Sequence, residues 1–285
     1  MSDVKDQYEA YSYSYSYPYP ERDLRDETKR LITGSPSDPC EIVHFLFGGT
    51  RDWTKPLRAL FAGGGTGDGL IQLAQLLSAA KRPDDITYID LSKASRAVAE
   101  ARAKTRGLSG ITFHMGSLLD AAEFGPFDYI DCCGVLHHLH DPAAGFLALR
   151  AALSPEGGGL GFMVYAPYGR PGVYSLQDAF GTLLNGPSPQ DRLTTAKCIY
   201  EKLPAGHPFK TNPHLHDHVQ SDAGFYDLLL HSQDQAFDVP RLIDTLRETD
   251  WQLAGFCQQG LYDLARYMTP PSGMDLTEQM GWQKS

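Results

Sequence analysis

The chain has 285 residues, 42% of them hydrophobic, which is enough for one large domain or one domain with a sizeable insertion. Its formal net charge of −10 argues against a grip on nucleic-acid phosphates, which needs clustered Lys and Arg. No stretch approaches the roughly 20 consecutive apolar residues of a membrane span, so no membrane partner is expected.

Residues 1–50 read as an N-terminal extension. They are polar, with no apolar run of the kind a secretory signal carries. The segment Tyr11 to Pro20 alternates Tyr with Ser or Pro, which in an extended chain sets every tyrosine on one face. It is either a floppy tail or a segment that folds over a site and offers it phenol rings, Tyr17 and Tyr19 among them. Residues 23–32 have the composition of a short charged helix.

Residues 51–165 change character. Leu57–Ala62 is an apolar run ending in glycines, a buried strand. Leu70 to Ala80 carries apolar residues at helical spacing. Ile86–Asp90 is a second strand. Ser92 is suited to cap a helix from Lys93 to about Arg106, and Gly107 stops it. Arg102, Lys104 and Arg106 read as the solvated face of that helix. Ile111–Met115 and Phe127–Cys132 are strands three and four, a helix follows from Pro142 to Leu153, and Gly159–Tyr165 is strand five. Strands alternating with helices predict an α/β, Rossmann-like, doubly wound and mostly parallel sheet. Residues 166–238 then form an insert, and residues 239–285 complete the core with a helix over Val239–Thr249, a sixth strand over Trp251–Cys257, and a tail. Leu261–Met268 is the only candidate for a seventh strand and fits a helical turn equally well.

Ligands in such sheets bind at the carboxyl ends of the strands. Strand one ends in Gly63-Gly64-Gly65-Thr66-Gly67-Asp68-Gly69, and a helix starts there. Glycines let the backbone approach a ligand closely, and the helix start offers unpaired N–H groups. No frame places glycine at i, i+2 and i+5, so the dinucleotide fingerprint fails, and no Gly-Lys-Ser/Thr follows for a P-loop. The pattern that fits is GxGxG at Gly63, Gly65 and Gly67. Asp90 ends the second strand, where an acid can accept bonds from both hydroxyls of a ribose. Gly116-Ser117-Leu118 follows the third strand, and Cys133-Gly134-Val135-Leu136-His137-His138-Leu139 the fourth.

In that order and spacing these residues, over about Leu57 to Tyr165, resemble the class I S-adenosylmethionine-dependent methyltransferases, most closely the type 11 and type 12 small-molecule members. The resemblance implies a strand order 3-2-1-4-5-(7)-6 and S-adenosyl-L-methionine as cofactor. It implies that Gly63, Gly65 and Gly67 pass beneath the cofactor's methionine portion and that Asp90 holds its ribose. Leu91, Ser117 and Leu118 would flank the adenine, and Cys133 and Gly134 would line the reactive end. Two departures stand out: Phe61 occupies a position where the family often has an acid, and Gly116-Ser117 replaces a frequent Gly-Asp.

The insert reads as a substrate lid. It begins at a strand end with Tyr165, Tyr168, Arg170 and Tyr174, three phenols and a guanidinium able to clamp an acceptor's carboxylate or phosphate. His137 and His138, beyond strand four, are candidates for a general base or an acceptor contact, against a purely structural role at a helix start. His214, His216 and His218 lack the usual zinc spacings, so no metal is expected. The five cysteines, Cys40, Cys132, Cys133, Cys198 and Cys257, form no CxxC pair or disulfide framework, and free thiols in a reducing, cytoplasmic setting are expected. The implied partner is a small-molecule acceptor. A protein or RNA acceptor and a non-catalytic cofactor-binding role are the competing classes, and such a domain is also of a kind that can form a homodimer.

Overall fold

A computed structural model describes residues 27–28, 38–82, 84–263 and 266–267 of the chain. The tyrosine-rich segment with Tyr17 and Tyr19, most of the charged stretch at 23–32, and the C-terminal tail lie outside these residues. Five strands, β1 (Leu57–Ala62), β2 (Asp84–Asp90), β3 (Ile111–Met115), β4 (Tyr129–Cys133) and β5 (Gly159–Met163), form one sheet in the order β3-β2-β1-β4-β5. All four pairings are parallel. The parallel α/β sheet is the one the alternating pattern predicts, and its order is the 3-2-1-4-5 part of the order that the resemblance implies.

The side chains of β1 alternate between two cores. Leu60 and Ala62 join Ile130, Cys132 and Phe146 on one face, while Leu57, Ala59 and Phe61 join Tyr88 and Tyr129 on the other. A strand buried on both faces explains why β1 is almost uninterruptedly apolar. The covering helices α2 (Asp68–Ala79), α3 (Lys93–Thr105) and α4 (Pro142–Ala151) start as the sequence predicts. Ser92 accepts from the Ser95 N–H, and Asp141 accepts from those of Ala143 and Ala144 ahead of Pro142 at the first position. A further helix, α1 (Pro39–Phe47), lies inside the stretch read as an extension. It packs Ile42 into the core and Leu46 against Gly159, where an added Cβ would meet Leu46 Cδ2 at 2.3 Å.

The insert is helical: α5 (Val173–Leu183), α6 (Pro189–Lys202), α7 (Pro208–Thr211), α8 (Asp217–Gln220) and α9 (Asp222–Leu230). Val173, Phe180, Leu193, Phe209, Phe225 and Leu229 give it a hydrophobic cluster of its own. Helix α10 (Val239–Glu248) returns to the main core through Leu242 and Leu246.

Two expectations are corrected. Trp251–Cys257 is not a strand. Residues 251–256 have no ladder partner among the described residues, because the segment is tied to α4 instead: Trp251 Nε1 donates to the Phe146 carbonyl at 3.0 Å and Arg150 Nε to that of Asp250 at 3.0 Å. Gln259–Tyr262 of the candidate seventh strand is one helical turn, α11, and its remaining residues lie partly outside those described. Nor is Arg102 solvated. It is 0% exposed, because its guanidinium turns under the glycine loop to meet Thr66, Asp68 and Glu27.

Candidate functional site

The loop after β1 and the end of β2 are bonded together. Gly63 N–H donates to the Ile89 carbonyl at 2.8 Å, and Gly65 N–H donates to Asp90 Oδ2 at 2.8 Å. The other oxygen, Oδ1, accepts from Ser92 N–H at 2.8 Å. Tyr88 Oη donates to the Gly65 carbonyl at 2.7 Å from beneath. The carboxylate of Asp90 therefore sits against the middle of the glycine loop. A carboxylate has about four acceptor positions, and these bonds from two directions fix its orientation.

Glycine is required in this loop for two reasons. Gly63, Gly65 and Gly67 have φ of 71°, 53° and 90°, which L side chains rarely adopt. A Cβ at Gly63 would lie 2.6 Å from Val135 Cγ2, and one at Gly64 2.5 Å from the Tyr88 ring. The bend is thus pressed between β4's exit loop and the Tyr88 ring, with its N–H groups at the start of α2. Arg102 braces the bend from below, donating to the Thr66 carbonyl and pairing with Asp68 at 2.7 Å and Glu27 at 2.9 Å.

The remaining predicted cofactor residues lie at neighbouring strand ends. Leu91 is half-buried directly after Asp90. Ser117 is half-buried and spends its hydroxyl capping a 3₁₀ turn, accepting from Leu119 N–H at 3.1 Å, while Leu118 turns into the core. Cys133 ends β4, and burial pushes its thiol far above the usual cysteine range. Gly134 follows at φ 77° and donates to the Met163 carbonyl of β5 at 3.0 Å.

Beyond Gly134 the chain enters a buried polar cluster shared with the insert. His137, His138 and Tyr165 come from the ends of β4 and β5, and Arg170, Asp227, His231 and Asp234 from the insert. The His138 ring stacks on His231 at 3.7 Å, and the Arg170 guanidinium lies 3.5 Å from the Tyr165 ring centre. His138 Nδ1 is 2.7 Å from the Gln233 carbonyl, which only accepts, so Nδ1 carries the proton and Nε2 is bare. His231 Nδ1 accepts from Gln233 N–H at 3.0 Å, so its proton sits on Nε2. Arg170 is committed to the interior: it pairs with Asp234 at 3.1 Å, is 7% exposed, and is not an open clamp for an acceptor. Both nitrogens of His137 and Oδ1 of Asp234 lack a hydrogen-bond partner among the described residues. Buried groups left in that state are where a bound polar group is expected.

Two trios of this cluster, His137–His138–Asp234 and His138–Asp227–His231, bring a ligand atom each within 4.8 Å of one another. In the first, Arg170 already supplies the positive charge beside Asp234; in the second, the bare nitrogen of His231 is turned to Gln233. Asp234, His138 and His231 are thus engaged by Arg170 and Gln233. Of the other predicted residues, Tyr174 adjoins the cluster through Arg170 and the rest lie elsewhere. Tyr168 is 85% exposed, Tyr174 is half-buried beside Arg170, and His214 and His216 are exposed while His218 bonds Tyr200 at 3.0 Å. Sequence reasoning missed Asp227, His231 and Asp234. The signal available was an acid and a histidine flanking the Leu228–Leu230 run, polar groups where burial was certain.

Burial holds the histidines of this cluster neutral. It lowers His138 to about 4 and pushes His137 and His231 well below the usual range, helped by their mutual repulsion. An unfolded chain titrates these rings near 6.5. Between pH 6.5 and 4 it takes up protons that the folded chain refuses, so stability is full above 6.5 and is lost as the pH falls towards 4. For His138 alone the loss is on the order of 3 kcal/mol. Thermal melts at pH 7 and 4.5 should therefore differ by several degrees more in the natural protein than in His138→Gln. Equal differences would refute this assignment.

Comparison with known proteins agrees with the geometry. A family model described as a methyltransferase domain matches residues 60–159. An uncharacterized protein of Synechococcus sp. is 35% identical over 206 residues, covering 70% of this chain and 48% of its own length. The chain thus spans about half of the curated relative it matches. Among solved structures, PKMT2 from Rickettsia typhi superposes with a TM-score of 0.56 at 18% identity, covering 79% of this chain and 44% of that one. The same protein in complex with AdoHcy covers 77% of this chain at the same TM-score of 0.56. Residues 60–159 of this chain are thus similar to a methyltransferase domain, and they are carried on a Rossmann-like parallel sheet of the order β3-β2-β1-β4-β5.

Proposed function

We propose that the chain binds S-adenosyl-L-methionine at the bend of residues 63–67 and transfers its methyl group to a small-molecule acceptor. The observation that carries this reading is the Gly65–Asp90 bond, which fixes a carboxylate beside a side-chain-free bend at the start of a helix. The residues fit the cofactor. The backbone of Gly63, Gly65 and Gly67 would run beneath the methionine portion, and Asp90 would accept from the ribose hydroxyls. Leu91, Ser117 and the Leu118 backbone would border the adenine, with Cys133 and Gly134 at the reactive end. When bound, the sulfonium supplies a methyl group already activated for in-line displacement.

The protein's part is then to align the acceptor and exclude water. His137, His138 and Tyr165 stand at the ends of β4 and β5, next along the chain and the sheet from Cys133 and Gly134. The nitrogens of His137 and Oδ1 of Asp234, unpartnered among the described residues, suit an acceptor carrying a donor and an acceptor of hydrogen bonds. Histidines held neutral by burial are weak bases. They orient an acceptor and receive its proton only late, so a nucleophile that is neutral at pH 7 fits best. Residues 166–238 act as the lid in this reading, since they contribute Arg170, Asp227, His231 and Asp234. The burial of this cluster and the chain's net charge of −10 favour a small molecule over RNA or a folded protein.

Isothermal titration with S-adenosylmethionine and S-adenosylhomocysteine tests the cofactor, with micromolar binding expected. Heat-free titrations with both would overturn the proposal. A binder whose only methyl acceptors are proteins would overturn the small-molecule part alone.

A further inference from the structure

The methionine portion of the proposed cofactor carries two opposite charges. The N–H groups at the start of α2 suit its carboxylate. Its ammonium needs an acid within the same chamber, and β1 provides none, because Phe61 precedes the loop. Three carboxylates lie near the bend. Asp68 is paired with Arg102 at 2.7 Å. Asp90 is turned to Gly65 and Ser92 and to the ribose side.

Asp131 is the third. It sits on β4 in register with Phe61 of β1. Paired residues of adjacent parallel strands project to the same face, about 4.8 Å apart. The sheet face that lacks an acid on β1 therefore carries one a single strand away, two residues before Cys133. Asp131 is only 5% exposed, and Tyr129 Oη donates to its Oδ2 at 3.3 Å. Burial chiefly raises the thiols of Cys133 and Cys257, and the charge of Asp131 adds to both, in keeping with its place two residues before the end of β4, where the reactive portion of the cofactor would lie. The remainder of β4, Tyr129, Ile130, Cys132 and Cys133, is a buried strand for which folding alone calls for an apolar residue at this point.

Resting on the cofactor reading above, we infer that Asp131 receives the ammonium of the cofactor's amino-acid portion, the charge partner that β1 does not supply. It is a binding residue for one half of the ligand. The adenosine half should be indifferent to it.

That division gives the test. Full-length protein is titrated with S-adenosylhomocysteine and with 5′-methylthioadenosine, which lacks the amino-acid portion. Asp131→Asn should weaken the first by about 10- to 100-fold, as for a lost charged hydrogen bond, and change the second by less than about twofold. An unchanged first affinity, or an equal fall in both, overturns the inference. A ligand-side measurement needs no variant: the natural protein should prefer S-adenosylhomocysteine to its deaminated analogue by a similar factor. Equal affinities would again overturn it. If the natural protein binds neither nucleoside, the cofactor reading itself fails, and that result is distinct from a failure at Asp131.

Discussion

Replacing Arg102 by methionine is expected to lower the stability of the protein by about 3–5 kcal/mol and to abolish tight cofactor binding with it. The side chain is 0% exposed and joins the Thr66 carbonyl, Asp68 and Glu27. Removing it leaves two carboxylates facing each other with little solvent and strips the loop carbonyl of its donor. A domain of ordinary stability has only about 5–15 kcal/mol to lose, so the urea midpoint should fall steeply. Arg102→Lys keeps the charge but cannot reach three acceptors from one planar fork, and should fall between the two. Far-ultraviolet circular dichroism through a urea series measures all three proteins. A methionine variant that melts with the natural protein would show that the brace beneath the loop is dispensable. Arg106 also meets Glu27, at 3.0 Å, and is placed to compensate in part.

The parts of the fold readable from sequence are those whose signal is local. β1 and β3 announce themselves by apolar runs between breakers, and α3 and α4 by Ser92 and by Asp141-Pro142 at their starts. The glycine loop is legible because its backbone conformations and its contacts with Val135 and Tyr88 each forbid a side chain. What failed was long-range. Trp251–Cys257 has the apolar content of a strand, yet its neighbours on α4 decide its conformation through Phe146 and Arg150. Arg102 looks like any helix-surface arginine until Asp68 and Glu27 are brought beneath it. Three members of the polar cluster, Asp227, His231 and Asp234, lie about 90–95 residues beyond His138, and no spacing rule connects them. The helices of the insert bury mostly one another, so α9, buried on all sides, is explicable only once α5 and α6 are in place.

Asp90 carries the second large expectation. Asp90→Ala removes the acceptor of Gly65 N–H and Ser92 N–H, both at 2.8 Å, and in the proposed complex the acceptor of two ribose hydroxyls. Hydrogen bonds to a charged group contribute about 1.5–3 kcal/mol each, and the two ribose bonds alone would account for a loss of 100-fold or more in affinity. The two effects separate by ligand. Asp90→Asn keeps one acceptor oxygen for Gly65 and so preserves the bend, but its amide cannot serve both hydroxyls and Ser92 at once. Its stability should stay near that of the natural protein while the Kd for S-adenosylhomocysteine rises by about 10-fold or more. A 2′-deoxyribose analogue removes one hydroxyl from the ligand instead. If Asp90 reads the ribose, the analogue should bind the natural protein poorly and lose little more in the asparagine variant. A full additional loss in the double perturbation would mean that the carboxylate holds only the loop.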